Sequence, residues 1–212
     1  MSACEARLAG HPDRLRWNDR YAAGAAPAFV PHPLAVRALA EVGNLPAGDQ
    51  YPGPRGLASP DGPVADLACG PSGTALLAAA SGRHVTAVDV SEVALDLLAA
   101  EARRRGLAHL ITLVHTDLSG WRPRPRSFAV VLCTGFWEAA VFPAAAAAVA
   151  PGGLLGWEAF TEQARRVRPG LDHRWCLADG EPASLLPPDF TVLDQSDLRG
   201  GQRRQMLARR AR

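Results

Sequence analysis

The sequence predicts a single α/β domain built on a mostly parallel sheet. From residue 63 onward, short apolar segments alternate with segments of helical period, which is typical of βαβ units. Glycines follow the first apolar segment at the point where a helix is predicted to begin. Together these observations predict a Rossmann-like, doubly wound sheet of seven strands, with helices on both faces and an antiparallel edge at the C-terminal end.

Seven segments have the composition of strands. The fourth, at residues 128–133, is almost continuously apolar, as expected for a strand that is buried on both faces. The last two fit an antiparallel pair at the sheet edge. In chain order the predicted strands are residues 64–68, 84–88, 110–115, 128–133, 154–160, 190–193 and 204–209.

Four helices are predicted between and before these strands. Ser91 is the expected N-cap of the third helix, with Glu92 in the first turn and arginines in the last, as the helix dipole favours. Residues 151–153, reading PGG, are expected to end the fourth helix. The predicted helices are residues 34–42, 74–80, 92–105 and 144–150.

The composition is that of a globular protein with one core. The chain has 212 residues, of which 48% are hydrophobic and 21% charged. Residues 1–60 are rich in proline and glycine, and the run at 44–56 is expected to be a surface loop. Trp17 and Tyr21 are costly to leave in water. We therefore expect residues 1–60 to form an N-terminal lid or helical segment that docks on a core of residues 61–212.

The charges give little indication of a partner. The formal net charge is +2 and every basic residue is arginine, which together with the alanine runs indicates the codon usage of a GC-rich, bacterial genome. The basic stretch at 202–212 admits two interpretations, a nucleic-acid contact and a solvated strand with an arginine fringe. We favour the second, and so expect no nucleic-acid partner.

The cysteines and the N-terminus indicate a cytoplasmic protein without a structural metal. Cys4, Cys69, Cys133 and Cys176 are widely scattered, and no histidine lies near them at metal-ligand spacing. The N-terminus lacks a basic region followed by an apolar one, and no apolar run reaches the ~18 residues that a spanning helix needs. We expect neither a disulfide framework, nor a metal site, nor a membrane partner.

Three features in succession point to a bound nucleoside. Gly70 and Gly73 lie between a strand and a helix, where a ligand can approach the backbone, although a tight turn alone would also need glycine. Asp89 ends the second strand, where a carboxylate can accept both ribose hydroxyls; Ser91 is better placed as the helix cap. After the third strand, Asp117 and Leu118 can read the edge of adenine, although Asp117 alone would be an ordinary loop residue.

Asp66 distinguishes this loop from a dinucleotide site. A dinucleotide-binding turn has three glycines in the pattern G-x-G-x-x-G and wraps a pyrophosphate. This loop reads GPSGTA from residue 70 and has a carboxylate, Asp66, in the preceding strand. A carboxylate repels a diphosphate and suits the ammonium group of a methionine moiety.

These residues resemble a known family. Residues 66–73, reading DLACGPSG, are similar to the first motif of class I S-adenosylmethionine methyltransferases, and residues 85–91, VTAVDVS, to the second. Residues 151–155, PGGLL, are similar to the stretch before the fifth strand. Within the family, WNDRY at 17–21 and WEAFT at 157–161 resemble the tellurite-resistance TehB-like and thiopurine-type branch.

The resemblance implies that S-adenosylmethionine is the cofactor and S-adenosylhomocysteine the product. It places Val90 against the adenine and Thr134 below the methyl group. The N-terminal aromatic residues would form a lid, in which Arg20 pairs with the methionine carboxylate. The implied cofactor-binding residues are Asp66, Ala68, Gly70, Gly73, Asp89, Val90, Asp117, Leu118, Thr134, Trp17, Arg20 and Tyr21.

The acceptor side departs from the family. Many relatives carry Arg or His in the stretch after strand four that here reads FWEA, so the family's substrates do not transfer to this chain. His173, in the variable loop at 161–181, is the best candidate for a general base, against the alternative of a solvated surface histidine. The residues expected in the substrate pocket are Phe136, Trp137, Glu158 and Arg174.

The predicted function is S-adenosylmethionine-dependent methyl transfer to a small molecule with an oxygen, nitrogen, sulfur or metalloid nucleophile, by a monomer or homodimer. One alternative is a non-catalytic cofactor-binding or interaction module. A nucleic-acid methyltransferase is less favoured because no Asn/Asp-Pro-Pro-Tyr/Phe run follows strand four. An NAD(P)-dependent oxidoreductase is least favoured because the loop lacks the third glycine.

Overall fold

The computed structural model describes residues 8–43 and 62–212. The loop predicted at 44–56 and the predicted domain boundary near residue 60 lie outside these residues, as does Cys4. The described chain forms one sheet whose strands lie in the order β3-β2-β1-β4-β5-β8-β7, with β6 paired to β5. The strands are β1 Val64–Leu67, β2 Val85–Asp89, β3 Ile111–His115, β4 Phe128–Thr134, β5 Val149–Thr161, β6 Cys176–Leu177, β7 Phe190–Leu198 and β8 Arg203–Arg210.

Within residues 8–43 and 62–212, five α-helices of seven residues or more accompany the sheet. Four match the predicted helices to within two residues at each end, and the first lies in the N-terminal segment, for which the sequence predicted a lid or helical segment without helix bounds. Ser91 caps the fourth as expected, since its hydroxyl accepts a hydrogen bond from the amide of Ala94. The helices are α1 Pro12–Ala23, α2 Pro33–Glu41, α3 Gly73–Ala80, α4 Glu92–Arg104 and α5 Phe142–Ala148.

The sheet is mixed, with its parallel part on the N-terminal side. Strands β1 to β5 pair in parallel, whereas β8 pairs antiparallel with both β5 and β7. The predicted α/β fold with an antiparallel C-terminal edge is thus confirmed, but the sheet has eight strands and not seven. The additional strand, β6, has only two residues and pairs with Phe160 and Thr161 of β5. Two residues are too few to show an alternating pattern in the sequence.

The join between α5 and β5 also differs from the prediction. The helix ends at Ala148, because Val149 adopts an extended backbone conformation with φ −67° and ψ 129°. Strand β5 therefore begins at Val149 and includes Pro151, Gly152 and Gly153, which were expected to separate helix from strand. Pro143 lies in the first turn of the helix, the position at which proline is best tolerated.

Apolar side chains cover both faces of the sheet. On one face, α5 packs through Phe142, Ala145 and Ala146 against β4 and β5. On the other face, α2, α3 and α4 contribute buried side chains that include Leu34, Leu39, Leu76 and Leu98. Helix α2 is therefore part of the core layer, whereas α1 has no fully buried residue.

No helix in residues 8–43 or 62–212 is both long enough and apolar enough to cross a membrane.

Candidate functional site

The strand order reverses between β1 and β4, and the loop that follows β1 lies at this point of the sheet. Ligands of doubly wound folds bind at the carboxyl ends of the strands at this position. The backbone of this loop is strained at Ala68, which has a positive φ of 47°, whereas Gly70, at 57°, adopts the same region without strain. A non-glycine residue held in this conformation is commonly found at a functional site.

Two N-terminal segments pack on this loop. A Cβ atom at Gly70 would lie 2.8 Å from the hydroxyl oxygen of Tyr21. A Cβ atom at Gly73 would overlap the backbone of Phe29 and Val30. At Gly73 the overlap is with backbone, so glycine is needed there because another segment passes close by. At Gly70, where positive φ already favours glycine, a Cβ would meet only the end of the Tyr21 side chain.

Asp66 lies at the third position of β1 with 2% of its surface exposed. Its carboxylate accepts a hydrogen bond of 2.5 Å from the hydroxyl of Ser72, which in turn caps α3 by accepting from the amide of Ala75. Burial raises the pKa of Asp66 from 3.8 to about 7, although the Ser72 hydrogen bond acts in the opposite direction. A cationic ligand beside this carboxylate would favour its ionised form.

Asp89 is the last residue of β2 and is 6% exposed. One carboxylate oxygen accepts from the amide of Gly70 at 2.7 Å and the other from the amide of Ser91 at 2.8 Å. Burial raises the pKa of Asp89, and these two amide hydrogen bonds oppose the rise. Each oxygen keeps a second lone pair, so the side chain can still accept from a pair of hydroxyls.

Asp117 follows β3 and caps the short 3-10 helix Leu118–Gly120. Its carboxylate accepts from the amide of Ser119 at 3.0 Å and from the Ser119 hydroxyl at 2.5 Å, and it lies 3.6 Å from His11. Leu118 is buried, whereas Asp117 remains one-third exposed. The three predicted elements after β1, β2 and β3 therefore lie at the ends of adjacent strands, as expected.

Helix α1 lies along this edge of the sheet. Near its start, Arg14 donates to the carboxylate of Glu92 in α4 through two nitrogens, one of them at 2.8 Å. In its second half, Asn18 accepts a hydrogen bond of 2.7 Å from the hydroxyl of Ser91. At its end, Tyr21 reaches Gly70, and its pKa is raised to about 12 by burial and by the nearby charge of Asp89. The helix therefore contacts the start of α4, just beyond Asp89, and then the loop at Gly70.

The two other lid residues lie on the same helix. The rings of Trp17 and Tyr21 stack with centroids 5.7 Å apart. The guanidinium of Arg20 lies 5.0 Å from the Trp17 ring. The structure thus brings Trp17, Arg20 and Tyr21 together above the loop that contains Gly70.

A cleft of about 310 Å³ opens beside the loop. One wall is formed by the residues that precede α2, and the other by the start of α3, with Thr134 of β4 between them. Thr134, one of the predicted cofactor-binding residues, lines the cleft. The lining residues are Val30, Pro31, His32, Pro33, Cys69, Pro71, Ser72, Gly73, Thr74 and Thr134.

His32 is a site residue that the sequence analysis missed. Its Nδ1 accepts from the amide of Leu34 at 3.2 Å, so that it caps α2, and its Nε2 lies 3.3 Å from the carboxylate of Glu158. Since Nδ1 accepts, the neutral ring carries its proton on Nε2 and donates toward Glu158. The sequence signal was the position of His32 between two prolines at the start of a predicted helix.

Glu158 connects the cleft wall to strand β8. Its other carboxylate oxygen accepts from Arg203 at 3.0 Å. Burial by itself would raise the pKa of Glu158, but the hydrogen bond from His32 and the charge of Arg203 outweigh it and lower the pKa below 4.5. Glu158 therefore lies behind His32, with its charge balanced by Arg203.

The remaining acceptor-side residues are not brought together in one pocket. His173 and Arg174 are exposed on the short 3-10 helix His173–Trp175, where both lie next to Asp172. Trp137 is 2% exposed and packs against Phe142 and Trp157 in the core, so its ring does not line the cleft. Phe136 is partly buried at the edge of the same core and accepts a hydrogen bond from Trp157 through its carbonyl oxygen.

Metal-ligating side chains are not grouped in the part of the chain that the structure describes: no three His, Cys, Asp or Glu residues lie together as ligands would. The three cysteines described there are free thiols. Burial raises the pKa values of Cys69 and Cys133 well above 9, so neither thiol is readily ionised.

Comparison with known proteins supports the assignment of the fold. No curated protein sequence matches the chain. Among solved structures it is similar to geranyl diphosphate C-methyltransferase from Streptomyces coelicolor A3(2), which contains S-adenosyl-L-homocysteine, with a TM-score of 0.67 and 11% identity over 95% of this chain and 100% of that chain. Magnesium protoporphyrin IX methyltransferase from Synechocystis PCC 6803 gives a TM-score of 0.58 and 15% identity over 72% and 75% of the two chains.

The same fold also occurs in a protein of different activity. A 4+2 cyclase has a TM-score of 0.59 and 20% identity over 71% of this chain and 76% of that chain. At these identities the similarity shows the fold and not the reaction. By sequence, residues 64–153 match the family described as a methyltransferase domain. Residues 64–153 therefore match a methyltransferase-domain family, within a described structure whose α/β fold is similar to that of these solved methyltransferases.

Proposed function

We propose that the protein transfers a methyl group from S-adenosylmethionine to a small-molecule acceptor. The observation that carries this proposal is the pair of buried carboxylates, Asp66 and Asp89, on either side of the Gly70 loop. Burial raises the pKa of both. Neither forms an ion pair with an arginine in residues 8–43 or 62–212.

Such a site suits a ligand with hydroxyl groups and a positive charge. Asp89 has lone pairs available for the two hydroxyls of a ribose, and Asp66 lies where an ammonium group would stabilise its ionised form. The pyrophosphate of a dinucleotide would instead bring negative charge next to both carboxylates. The residues present therefore fit S-adenosylmethionine better than NAD.

Each end of the proposed site has its own residues. Asp117 and the amide of Leu118 would contact the adenine, with Val90 against its face. Trp17 and Tyr21 would cover the sulfonium, since aromatic faces attract cations. Arg20 would pair with the methionine carboxylate. These roles rest on the resemblance together with the positions of the side chains at the ends of β1 to β4.

The chain's contribution to the reaction is mainly positional. When bound, S-adenosylmethionine supplies an activated methyl group: the acceptor's electron pair bonds to the carbon, the sulfur–carbon bond breaks, and its electrons stay on sulfur. The segment before α2 lines the cleft through Val30, Pro31 and His32, and α1 would cover the bound cofactor from the side of Gly70 and limit access of water. Holding two reactants in line can lower the barrier by on the order of 7–11 kcal/mol. Thr134 lies in the cleft, at the end of β4, where the acceptor would approach.

Several finer assignments belong to this proposal. We place the protein in the TehB-like and thiopurine-type branch on the residues WNDRY and WEAFT. We further propose a cytoplasmic, bacterial enzyme that acts as a monomer or homodimer, without a nucleic-acid partner. Ion pairs of Arg209 with Glu41 and of Arg210 with Asp189 support the last point, because they occupy two arginines of the basic C-terminal stretch.

Calorimetric titration tests the cofactor assignment directly. We expect S-adenosylmethionine and S-adenosylhomocysteine to bind and NADH not to bind. Asp89→Ala should weaken both adenosyl ligands by about 10-fold or more, because a charged hydrogen-bond acceptor is lost from a buried site. Asp96→Ala, which removes an exposed carboxylate from the adjacent helix α4, is the matched control and should bind as the wild type does.

Three outcomes would contradict the proposal. Unchanged affinity in Asp89→Ala would show that the adenosyl ligand binds elsewhere. Tight binding of NADH would favour an oxidoreductase. If S-adenosylmethionine binds but no thiol, amine, phenol or metalloid oxyanion accepts a methyl group, as judged by release of S-adenosylhomocysteine, the chain is a cofactor-binding module.

A further inference from the structure

The cleft beside the Gly70 loop extends beyond the residues assigned to the cofactor. Of the residues assigned to S-adenosylmethionine, Gly73 and Thr134 line the cleft, and Thr134 is the one placed below the methyl group. The opposite wall consists of residues 30–33, to which the cofactor assignment gives no role. This part of the cleft is therefore available to a second molecule, next to the methyl group.

The described lining of the cleft contains no permanently charged side chain. Within residues 8–43 and 62–212, none of the residues that line it is Asp, Glu or Arg. Two of the lining residues, Cys69 and His32, are titratable. Burial raises the pKa of the Cys69 thiol well above 9, so this thiol is neutral at physiological pH. The charge of the lining therefore depends on His32.

The contacts of His32 suit the neutral form of its ring. Nδ1 accepts a hydrogen bond of 3.2 Å from the amide of Leu34, so a second proton on Nδ1 would point at that amide hydrogen. Nε2 lies 3.3 Å from the buried carboxylate of Glu158, which also accepts from Arg203 at 3.0 Å. The negative charge behind His32 is therefore already balanced by the positive charge of Arg203.

The start of α3 also lies in the lining, and the first turn of a helix attracts anions. Here other groups of the protein already face that turn. The Ser72 hydroxyl donates to the carboxylate of Asp66 at 2.5 Å and accepts from the amide of Ala75 at 2.9 Å. The carbonyl oxygen of Phe29 lies against Gly73. An anion at this point of the cleft would therefore meet a carboxyl group and a carbonyl oxygen.

The rest of the lining is mostly apolar. Pro31, Pro33 and Pro71 line the cleft together with Val30, which is 75% exposed. Prolines have a fixed φ and no amide hydrogen to donate, so this rim is stiff and offers apolar surface. A molecule that covers the rim removes the apolar surface of Val30 from water, which favours an apolar ligand.

We propose that the cleft binds a methyl acceptor that carries no formal charge, with its apolar part against Val30 and the three prolines and its nucleophilic atom next to Thr134. The inference rests on the proposed function, which places the methyl group beside Thr134. A neutral thiol, amine or phenol fits this cleft, whereas a metalloid oxyanion does not. A neutral acceptor takes over the positive charge of the sulfur when it gains the methyl group, and then releases a proton to water.

Three probes with the same ring and different charges test the inference without knowledge of the natural acceptor. They are cyclohexanecarboxamide, cyclohexanecarboxylate and the cyclohexylmethylammonium ion. Each is titrated at neutral pH into the protein with S-adenosylhomocysteine and into the protein alone, and ligand-observed NMR gives the dissociation constants. We expect the amide to bind about tenfold more tightly than either charged probe, because a charged group would lose water without gaining a counter-ion.

Two matched variants show where the probes bind. Val30→Arg introduces a positive charge at the rim of the cleft. Val167→Arg introduces the same charge on the loop after β5, at a valine that is 61% exposed and does not line the cleft. Because both valines are exposed, neither change buries a charge. Val30→Arg should tighten binding of the carboxylate about fivefold and weaken binding of the ammonium ion. Val167→Arg should bind all three probes as the wild type does.

Equal affinity of the wild type for the three probes, or tighter binding of a charged one, would overturn the inference. Absence of saturable amide binding to the complex with S-adenosylhomocysteine, or an equal effect of Val30→Arg and Val167→Arg, would overturn it as well. Failure of the proposed function gives a different result. In that case S-adenosylhomocysteine does not bind, while the titration of the protein alone still decides whether the cleft prefers an uncharged molecule.

Discussion

Asp66 shows how a site residue can reduce the stability of the fold. Its carboxyl group is buried, and folding raises its pKa from 3.8 to about 7. Below pH 3.8 the carboxyl is protonated in both the folded and the unfolded state and does not lower the free energy of unfolding. As the pH rises from 3.8 to about 7, ionisation favours the unfolded state, and the free energy of unfolding falls. At about 1.4 kcal/mol per pH unit, the loss at pH 8 is on the order of 4 kcal/mol.

We therefore predict that Asp66→Asn stabilises the protein and impairs cofactor binding. Asparagine can still accept the hydrogen bond from Ser72, and it carries no charge whose burial would cost free energy. In urea unfolding, the free energy of unfolding of the variant should exceed that of the wild type by more at pH 8 than at pH 5. Calorimetry should show clearly weaker binding of S-adenosylmethionine by the variant at pH 8 and a much smaller difference at pH 5, where the wild-type carboxyl is mostly protonated. Wild-type affinity should therefore fall as the pH drops below about 7.

Asp96→Asn serves as the control, because Asp96 is exposed on α4. It should change neither the pH dependence of unfolding nor the affinity for the cofactor. Equal stability of Asp66→Asn and wild type at pH 8 would show that other interactions in the folded protein offset the cost of burying the Asp66 carboxylate.

At the scale of elements, helix α1 is held over the site by polar contacts and by stacking. Its apolar burial is small, because no residue of the helix is fully buried. The contacts of Arg14 with Glu92 and of Asn18 with Ser91 connect it to the start of α4. An element that is held by a few partly exposed hydrogen bonds opens more readily than the core. Helix α1 thus has the properties expected of a lid.

We predict that Arg14→Gln loosens α1 without destabilising the core. A charge-assisted hydrogen bond is worth about 1 kcal/mol at a partly exposed position, so amide exchange in residues 12–23 should become about fivefold faster. Hydrogen-exchange mass spectrometry measures this, and the protection of β1, β4 and β5 should not change. We also expect S-adenosylhomocysteine to dissociate faster.

Arg104→Gln provides a control with the same chemical change. Arg104 pairs with Glu101 on the exposed side of α4, away from α1. Exchange in residues 12–23 should remain as in the wild type. If Arg14→Gln also leaves that exchange unchanged, the stack of Trp17 and Tyr21 holds the helix and the ion pair does not.

The contrast between α1 and the strands explains which elements the sequence could predict. Strand β4 was found because seven consecutive residues are apolar or small, which requires burial on both faces. Helix α1 has no apolar stripe, and its contacts are hydrogen bonds to residues far along the chain, which leave no local pattern. The boundary of β5 was misplaced because proline and glycine usually end an element, whereas here they lie within an extended segment.

The same distinction holds within the site. Asp89 and Asp117 could be predicted as site residues because one ends and the other follows a strand, and the ends of parallel strands meet in space. Asp66 could be predicted because it is a carboxylate within the strand that leads into the glycine loop. His32 and Glu158 lie far apart in the sequence, and their pairing depends on α2 packing over β5. The contact of the Arg16 guanidinium with the Trp175 ring likewise joins α1 to a loop that follows β5. Contacts of this kind require the tertiary structure.

At the scale of the whole molecule, ligand binding and folding are linked. A ligand that binds only the folded state stabilises it by about 2.7 kcal/mol at a concentration of 100 times its Kd. For a chain of 212 residues, this corresponds to a rise in Tm of about 5–10 °C. We predict a shift of this size with S-adenosylhomocysteine in differential scanning fluorimetry.

The shift should depend on the proposed site. Asp89→Ala should lose most of it at the same ligand concentration, whereas Asp96→Ala should keep it. A full shift in Asp89→Ala would indicate stabilisation by binding at another place on the molecule.

The strand order has a consequence for synthesis of the chain. Strand β8 lies between β5 and β7, but it follows both of them in the sequence. Until Arg203–Arg210 has been synthesised, the edge of β5 that later pairs with β8 has no partner strand. This edge includes Leu154, Leu155 and Trp157. About 40 residues separate β5 from β8, which at ~5–20 residues per second leaves this edge uncovered for roughly 2–8 s. A nascent chain that stalls in this interval would expose an unpaired strand edge next to the proposed cofactor site. Chaperones should therefore bind most strongly to chains stalled in this interval.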